Sequence, residues 1–361
     1  MTPATAERPF ASATHKVSYV LPVLNDAAAL HQAITSVLAQ DYDGEQEVVV
    51  AVAPSLDGTR EVAVEHSRAD PRVRVVDNPD TDIPAGLNRA VAVADGEVIV
   101  RVDAHSELPP GYTRRMVDTL RRTGAANVGG VMLARGTSPL QASVARAYNS
   151  GLGLGGGAYH AGTEEGPGES AYLGVFRRSD IDPLGWYDES LRRGEDYELN
   201  QRILAAGHLI WFVPDVQVEY RPRSAWGSLA RQMYATGVWR AEMVRRARST
   251  PPRYLAAPVV VAGLGASVAV GTAQLAGVSR WPWSVVHAGP VAYAAFLAYA
   301  GASMGAQTTS ERLRDVAAVA TIQLTWGAGF LKGLAVGAGS TVDRSRVRRG
   351  AGRAGRVGLP H

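Results

Sequence analysis

Two stretches near the end of this 361-residue chain carry no charged side chain: Leu255 to Val278 and Trp281 to Gln307. Uninterrupted apolar sequence of that length has to leave water, which allows two outcomes. Either a pair of helices is buried inside protein, or each crosses a bilayer, whose ~30 Å hydrocarbon layer takes ~20 helical residues to span. The two runs lie side by side, and Trp281, Trp283, Tyr293 and Tyr299 include residues suited to the membrane interface. Membrane insertion is therefore expected. A third segment, Val316 to Ser340, holds Gln323, Trp326 and Lys332, so it could span, re-enter or lie flat. With a cytoplasmic body, three spans would carry the arginine-rich tail outside, against the positive-inside tendency. Two spans with a flat third segment keep both on one side and lay the tail on anionic lipid; that is the expected arrangement.

The first half reads differently. Lys16 to Pro22 predicts a strand, ended by a proline that cannot donate to a ladder. Asn25 or Asp26 then caps a helix with Leu30, Ile34, Val37 and Leu38 at helical spacing. Glu47 to Ala53 and Val73 to Val76 are further strands, separated by Pro54-Ser-Leu-Asp-Gly-Thr59 and a helix through Glu65. Pro84 suits the first turn of the next helix, which carries Leu87, Val91 and Ala94 on one face. This alternation predicts an α/β fold with a doubly wound, mostly parallel sheet.

The next strand holds Val98, Ile99, Val100 and Val102 and delivers Asp103 and His105 at its carboxyl end. That end of an open α/β sheet is where ligands bind. Alternate residues of an extended segment point the same way, so a carboxylate and an imidazole there can converge on one divalent cation and neutralise a diphosphate. The plain alternative is a solvated strand end.

After Pro109-Pro110 a helix, a strand and a helix lead into Gly151-Leu-Gly-Leu-Gly-Gly-Gly157. Gly151, Gly153 and Gly156 spell G-x-G-x-x-G, but a dinucleotide fingerprint needs a strand before it and a helix after it. Here a helix precedes, so the run reads as a loop over a site or a flexible connection. Tyr172 to Phe176 is a strand. Arg193 to Arg202 begins a helix with Glu195 and Asp196 in its first turn, either as dipole-favoured caps or with one as a general base. From Ala225 to Arg246, Leu229, Met233, Val238 and Met243 alternate with Arg231, Arg240, Arg245 and Arg246, as in a helix lying among lipid headgroups.

The net charge of +3 is a property of the tail, where six arginines from Arg344 to Arg356 face only Asp343; the body is slightly acidic. Nucleic acid is therefore not an expected partner. The absence of cysteine excludes disulfides and thiolate metal sites. Residues 1–14 lack an apolar run, so no signal peptide is expected.

An ordered set of motifs resembles the inverting family 2 glycosyltransferases of the GT-A fold. It comprises Val17 to Asp26, Ser55-Leu-Asp-Gly-Thr59, Asn88, Val102-Asp-Ala-His105, and Glu195-Asp196 with Leu199-Asn-Gln-Arg202. Gly174-Val-Phe-Arg177, Tyr220-Arg-Pro-Arg-Ser224 and Arg231-Gln-Met-Tyr-Ala-Thr-Gly237 are similar to the membrane-attached succinoglycan-biosynthesis branch. The resemblance implies that Pro22, Asn25, Asp26, Ala53, Asp57, Asn88, Arg101 and Asp103 contact a nucleotide-sugar donor. It implies that Asp103 and His105 hold Mn²⁺ or Mg²⁺, and that Asp196, with Glu195 beside it, deprotonates the acceptor. Gly174, Arg231, Gln232, Trp239 and Arg240 would face the acceptor and the interface.

Two departures stand out. Where relatives place an acid that reads the base, this chain has Val52-Ala53, so Asp57 takes over, the base is held less specifically, or the donor is not a UDP-sugar. His105 replaces a second acid, which makes metal affinity more pH-dependent. The expected organisation is a disordered tail at 1–15, a catalytic domain at 16–222, an amphipathic interfacial region at 223–252, membrane helices at 253–340 and a basic tail at 341–361. The expected activity is transfer of a sugar to a lipid-linked or polysaccharide acceptor, with the catalytic domain on the cytoplasmic face of the membrane. A polyprenyl-phosphate sugar synthase and a non-catalytic sugar-binding scaffold are the alternatives. A transporter is disfavoured because the hydrophobic segments hold no ionisable pair.

Overall fold

The computed structural model describes residues 14–153, 164–247, 251–278 and 281–341. The expected tails at 1–15 and 341–361 fall almost wholly outside these residues, as does Gly156 of the glycine motif. From the N-terminus the elements are β1 (Val17–Val23), α1 (Ala27–Leu38), β2 (Gln46–Val52), α2 (Thr59–Ala69), β3 (Val73–Asp77), α3 (Ile83–Val93) and β4 (Val98–Arg101). Next come α4 (Tyr112–Thr123), β5 (Asn127–Ala134), α5 (Pro139–Asn149), β6 (Gly166–Pro167), β7 (Tyr172–Arg177), α6 (Glu195–Ala205) and β8 (Ile210–Tyr220). Beyond lie α7 (Trp226–Ala247), α8 (Ala256–Leu275), α9 (Ala288–Ser303) and α10 (Thr309–Val336). These residues divide into two compact units, one of residues 14–132 and 164–220, the other of residues 133–153 and 221–341.

In the first unit eight strands form one sheet in the order β3-β2-β1-β4-β7-β5-β8-β6. β3, β2, β1 and β4 are parallel, as the alternation of strands and helices requires. Beyond β4 the sheet is mixed: β7 slots between β4 and β5 and runs antiparallel to both. The two faces are covered separately. Tyr19, Leu21, Val50 and Val100 pack with Leu30 and Ile34 of α1 and Met116 and Leu120 of α4. Val20, Val49 and Ile99 pack with Leu87 and Val91 of α3 and Leu199 and Ile203 of α6. Strand periodicity alone assigns neighbouring residues to opposite faces.

Two local expectations need correction, and one strand has no counterpart among them. β1 does not stop at Pro22. Val20 faces β4, where its carbonyl accepts from the Val102 N–H, and Pro22 faces the same way. Because β4 pairs only as far as Val20 with Arg101, the missing proline N–H interrupts no ladder. Neither Asn25 nor Asp26 caps α1 through its side chain; the Ala27 N–H is instead taken by Asp57, 3.1 Å away. β8 was not read from the sequence, although Val216, Val218 and Tyr220 alternate with exposed Asp215, Gln217 and Glu219 in a period of two.

In the second unit the apolar face of α7 is not open to lipid. Leu229, Met233, Val238 and Met243 are buried, and α10 lies against them at a separation only glycine permits. A Cβ added at Gly329 would sit 2.1 Å from the Tyr234 carbonyl oxygen, and one at Gly333 would sit 2.4 Å from that of Val238. The first half of α10 meets α5, where Arg146 grips fully buried Asp315 at 2.7 and 2.8 Å, and the Gln323 amide donates to the Leu152 carbonyl. Asp315 lies just outside the apolar run read from the sequence, and α10 therefore does carry an ion-paired acid. Between α8 and α9, Ser267 bonds His287 Nδ1 at 2.6 Å, His287 Nε2 meets Gln274 at 3.1 Å, and the Gln274 amide donates to Ser284 at 2.8 Å. Three helical segments, Pro252–Leu275, Trp283–Ser303 and Thr309–Val336, are long and apolar enough to cross a membrane.

Gly329→Ala is expected to push α7 and α10 apart at a cost of roughly 1–3 kcal/mol. The measurement is thermal unfolding in detergent. Gly263→Ala, whose added Cβ meets nothing within 4 Å, should leave the midpoint unchanged or slightly raised.

Candidate active site

β4 sets the site. Ile99 faces the side covered by α3 and α6, and by strand alternation Arg101 faces it too. Arg101 is buried, with its side chain 10% exposed, and it lies between two carboxylates. Its Nε is 3.2 Å from Asp103 and its Nη2 is 3.0 Å from Glu195, the first residue of α6. The Tyr187 ring lies 5.9 Å from the guanidinium carbon. A single cation thus joins the carboxyl end of β4 to the amino end of α6, across more than ninety residues of sequence.

The charges around Arg101 are unequal in exposure. Burial pushes the Glu195 carboxyl above its ordinary range; Arg101 opposes this, while nearby Asp196 and Asp103 add to it. Burial works against the Arg101 charge as well, but Asp103, Glu195, Tyr187 and Asp196 together hold it firmly protonated. Asp196 is exposed and accepts from the Tyr197 N–H at 2.7 Å, at the helix end where a carboxylate is favoured. Of the two acids expected to be catalytic, Glu195 is sealed against Arg101 and Asp196 faces outward.

On the other side of the sheet's mouth, the loops after β1 and β2 are latched to each other. The Asn25 N–H donates to Ser55, and the Leu56 N–H donates to Asn25 Oδ1 at 2.8 Å. The Asp26 N–H donates to Thr59, while Asp57 accepts from the N–H groups of Ala27 and Thr59 and from the Thr59 hydroxyl. Asn25 adopts a left-handed backbone (φ 51°) to make this turn. Desolvation acts to raise the Asp57 carboxyl, yet these donors hold it below its usual value. Pro22 and Ala53 are buried behind the loops at the strand ends.

Asn88 was expected to touch the donor, but both ends of its amide are engaged elsewhere. Its NH₂ donates to the Tyr187 carbonyl and to Glu189, each at 2.8 Å, and its oxygen accepts from the Tyr187 N–H. It clamps the segment that presents Tyr187 to Arg101. Gly174 was expected to face an acceptor; it is buried in β7, with Phe176 2.3 Å and Asn127 2.7 Å from where a Cβ would stand. Arg231, Gln232, Trp239 and Arg240 belong to α7 in the second unit. There Trp239 is buried and donates to the Thr341 carbonyl, Gln232 is buried and accepts from Arg223, and Arg240 lies over the Tyr254 ring at 4.3 Å. Arg231 is exposed. What the sequence did not disclose is the part played by Tyr187, which lies in no motif, and the bond that Ser55 of the Ser55–Thr59 motif makes to the Asn25 N–H.

Asp103 and His105 follow β4, and the His105 ring meets Tyr220 edge-on at 6.2 Å. Among the described residues no three His, Cys, Asp or Glu side chains converge as a closed metal site. Asp103 is the kind of oxygen donor that Mg²⁺ takes alongside phosphate oxygens and water, and a carboxylate with an imidazole is a donor set that would suit Mn²⁺.

Arg101→Met should leave Glu195 a buried, unpaired acid and cost about 3 kcal/mol of stability, read as a lowered unfolding midpoint. Adding Glu195→Gln to that variant should restore much of the loss.

A sequence profile described as glycosyl transferase family 2 matches residues 18–185. The succinoglycan biosynthesis protein ExoA of Rhizobium meliloti (strain 1021) is 34% identical over 321 residues, covering 87% of this chain and 94% of that protein. Glycosyltransferase AglE of Haloferax volcanii is 24% identical over 61% of this chain and 71% of its own length. The mannosyltransferase PcManGT of Pyrobaculum calidifontis, solved with GDP-Man and Mn²⁺, superposes with a TM-score of 0.60 at 20% identity, over 90% of this chain and 88% of that one. With a mixed, largely parallel sheet of the GT-A kind and a relative this similar along nearly its whole length, the chain belongs to glycosyltransferase family 2.

Proposed function

We propose that this enzyme is a metal-assisted inverting glycosyltransferase that moves a sugar from a nucleotide-sugar donor to a lipid-linked glycan in cell-surface polysaccharide synthesis. The observation that carries the reading is the Arg101 bridge, which brings Asp103 and the Glu195–Asp196 pair into one cluster at the mouth of the sheet. In this reading Asp196 removes the proton of an acceptor hydroxyl. The hydroxyl oxygen bonds to the anomeric carbon as the bond from that carbon to the diphosphate oxygen breaks, and the electron pair leaves on the diphosphate. A divalent ion held by Asp103 and His105 would stabilise that departing charge. Glu195 does not exchange protons with substrate; it keeps Arg101 aimed at Asp103.

The loops latched by Asp57 form the donor side of the pocket. Because Asp57 already accepts three hydrogen bonds within the protein, we assign it to loop geometry and leave base recognition to other groups. The acceptor is read as lipid-linked because helices able to span a membrane belong to the same chain. α8 and α9 are the least buried of the three, whereas α10 packs along part of its surface on α5 and α7. We read α8 and α9 as the spanning pair with α10 lying along the surface, and place the catalytic unit on the cytoplasmic side because that keeps it with the arginine-rich tail.

The decisive experiment incubates isolated membranes with a panel of nucleotide sugars, with Mn²⁺, Mg²⁺ or chelator. Transfer should require the cation. Asp196→Asn should reduce it by at least about a hundredfold while sparing donor binding; unchanged turnover would remove Asp196 from the role of base. Asp57→Ala should weaken binding of every nucleotide sugar alike, measured as donor affinity across the panel. A change in nucleotide preference would instead make Asp57 a reader of the base.

A further inference from the structure

On the face of the sheet covered by α1 and α2, two imidazoles meet at the surface. His66 of α2 directs Nε2 at Nδ1 of His31 of α1, 3.0 Å apart, with the ring centroids at 5.0 Å and the planes tilted by 43°. His31 is exposed and His66 is half-buried, so solvent reaches the pair. Burial, followed by the facing His31 ring, holds the His66 imidazole below its ordinary pKa, against the opposite pull of Glu65 and Asp70.

We propose that His31 and His66 form a second metal site, selective for a borderline transition ion such as Zn²⁺ and separate from the Asp103–His105 pair. Two metal–nitrogen bonds of ~2.0–2.1 Å at angles between square and tetrahedral place their nitrogens about 2.9–3.4 Å apart. The observed 3.0 Å falls within that span, so a turn of the exposed rings, with the bridging proton moved to the far nitrogen of its ring, would bring both lone pairs onto one ion. An all-imidazole pair favours Zn²⁺, Ni²⁺ or Co²⁺ over Mg²⁺, which requires oxygen donors; water completes the coordination at this exposed position.

The placement has a physical consequence. α1 leaves the loop that holds Asn25 and Asp26, and α2 leaves the loop that holds Asp57 and Thr59. The ion would join these helices away from the Asp57 latch, so the donor-side loops would be fixed at two points. The proposal does not depend on the identity of the sugar or the acceptor.

The test uses the full-length protein in detergent, stripped of metal and titrated with Co²⁺, whose visible absorption reports imidazole coordination, and with Zn²⁺ under thermal unfolding. Wild type and His105→Ala should both show saturable Co²⁺ absorption and a Zn²⁺-dependent rise in midpoint. His31→Ala and His66→Gln should lose the absorption, weaken binding by more than about tenfold, and lose the Zn²⁺-dependent rise. Because His31 is exposed, its metal-free variant should unfold at the wild-type midpoint, separating metal binding from folding. A signal absent in wild type, or unchanged in both helix variants and lost in His105→Ala, would overturn the second site.

Discussion

A guanidinium enclosed by protein cannot discard its charge, so it must be surrounded by acids, and Arg101 imposes that condition on its neighbourhood. The cost of removing it from water is offset only if Asp103 and Glu195 both stay within reach. One acid comes from the loop after β4 and the other from the first turn of α6, so the packing of α6 on the sheet and the geometry of the cluster are one requirement. Asn88 and Tyr187 extend the same constraint: the amide clamps the segment whose ring faces the cation.

Much of this was legible in the sequence because it is periodic or composed of motifs. The parallel strands β1 to β4 are short β-branched runs between turn residues, and local pattern suffices to identify them. Asp103, Glu195 and Asp196 were legible as acids at element ends, where ligands gather. The bridge was less so, since nothing in the spacing says that Arg101 reaches a residue ninety positions away. Asn88 illustrates a role that spacing does not reveal. A polar residue near a pocket reads as a ligand contact, yet its hydrogen bonds satisfy backbone groups of a neighbouring loop. Gly174 is similar: its small size leaves room for the Phe176 ring.

The second unit shows how composition alone can mislead. The arginine-studded, apolar-striped α7 has the pattern of a helix resting on lipid, and its apolar stripe is instead covered by α10. Glycines on α10 permit that contact, and a hydropathy pattern does not register close approach. The ion pair of buried Asp315 with Arg146 likewise depends on α5, which lies far away in sequence. Membrane-facing and protein-facing apolar surfaces look the same in a single sequence; only the partner distinguishes them.

The polar chain from Ser267 through His287 and Gln274 to Ser284 ties α8 to the turn that leads into α9. In hydrocarbon no water can replace those partners, so either helix entering by itself would drag unsatisfied donors and acceptors into oil. The two helices are thus best delivered to the bilayer already paired, as a hairpin whose inner seam is closed before its outer surface meets lipid.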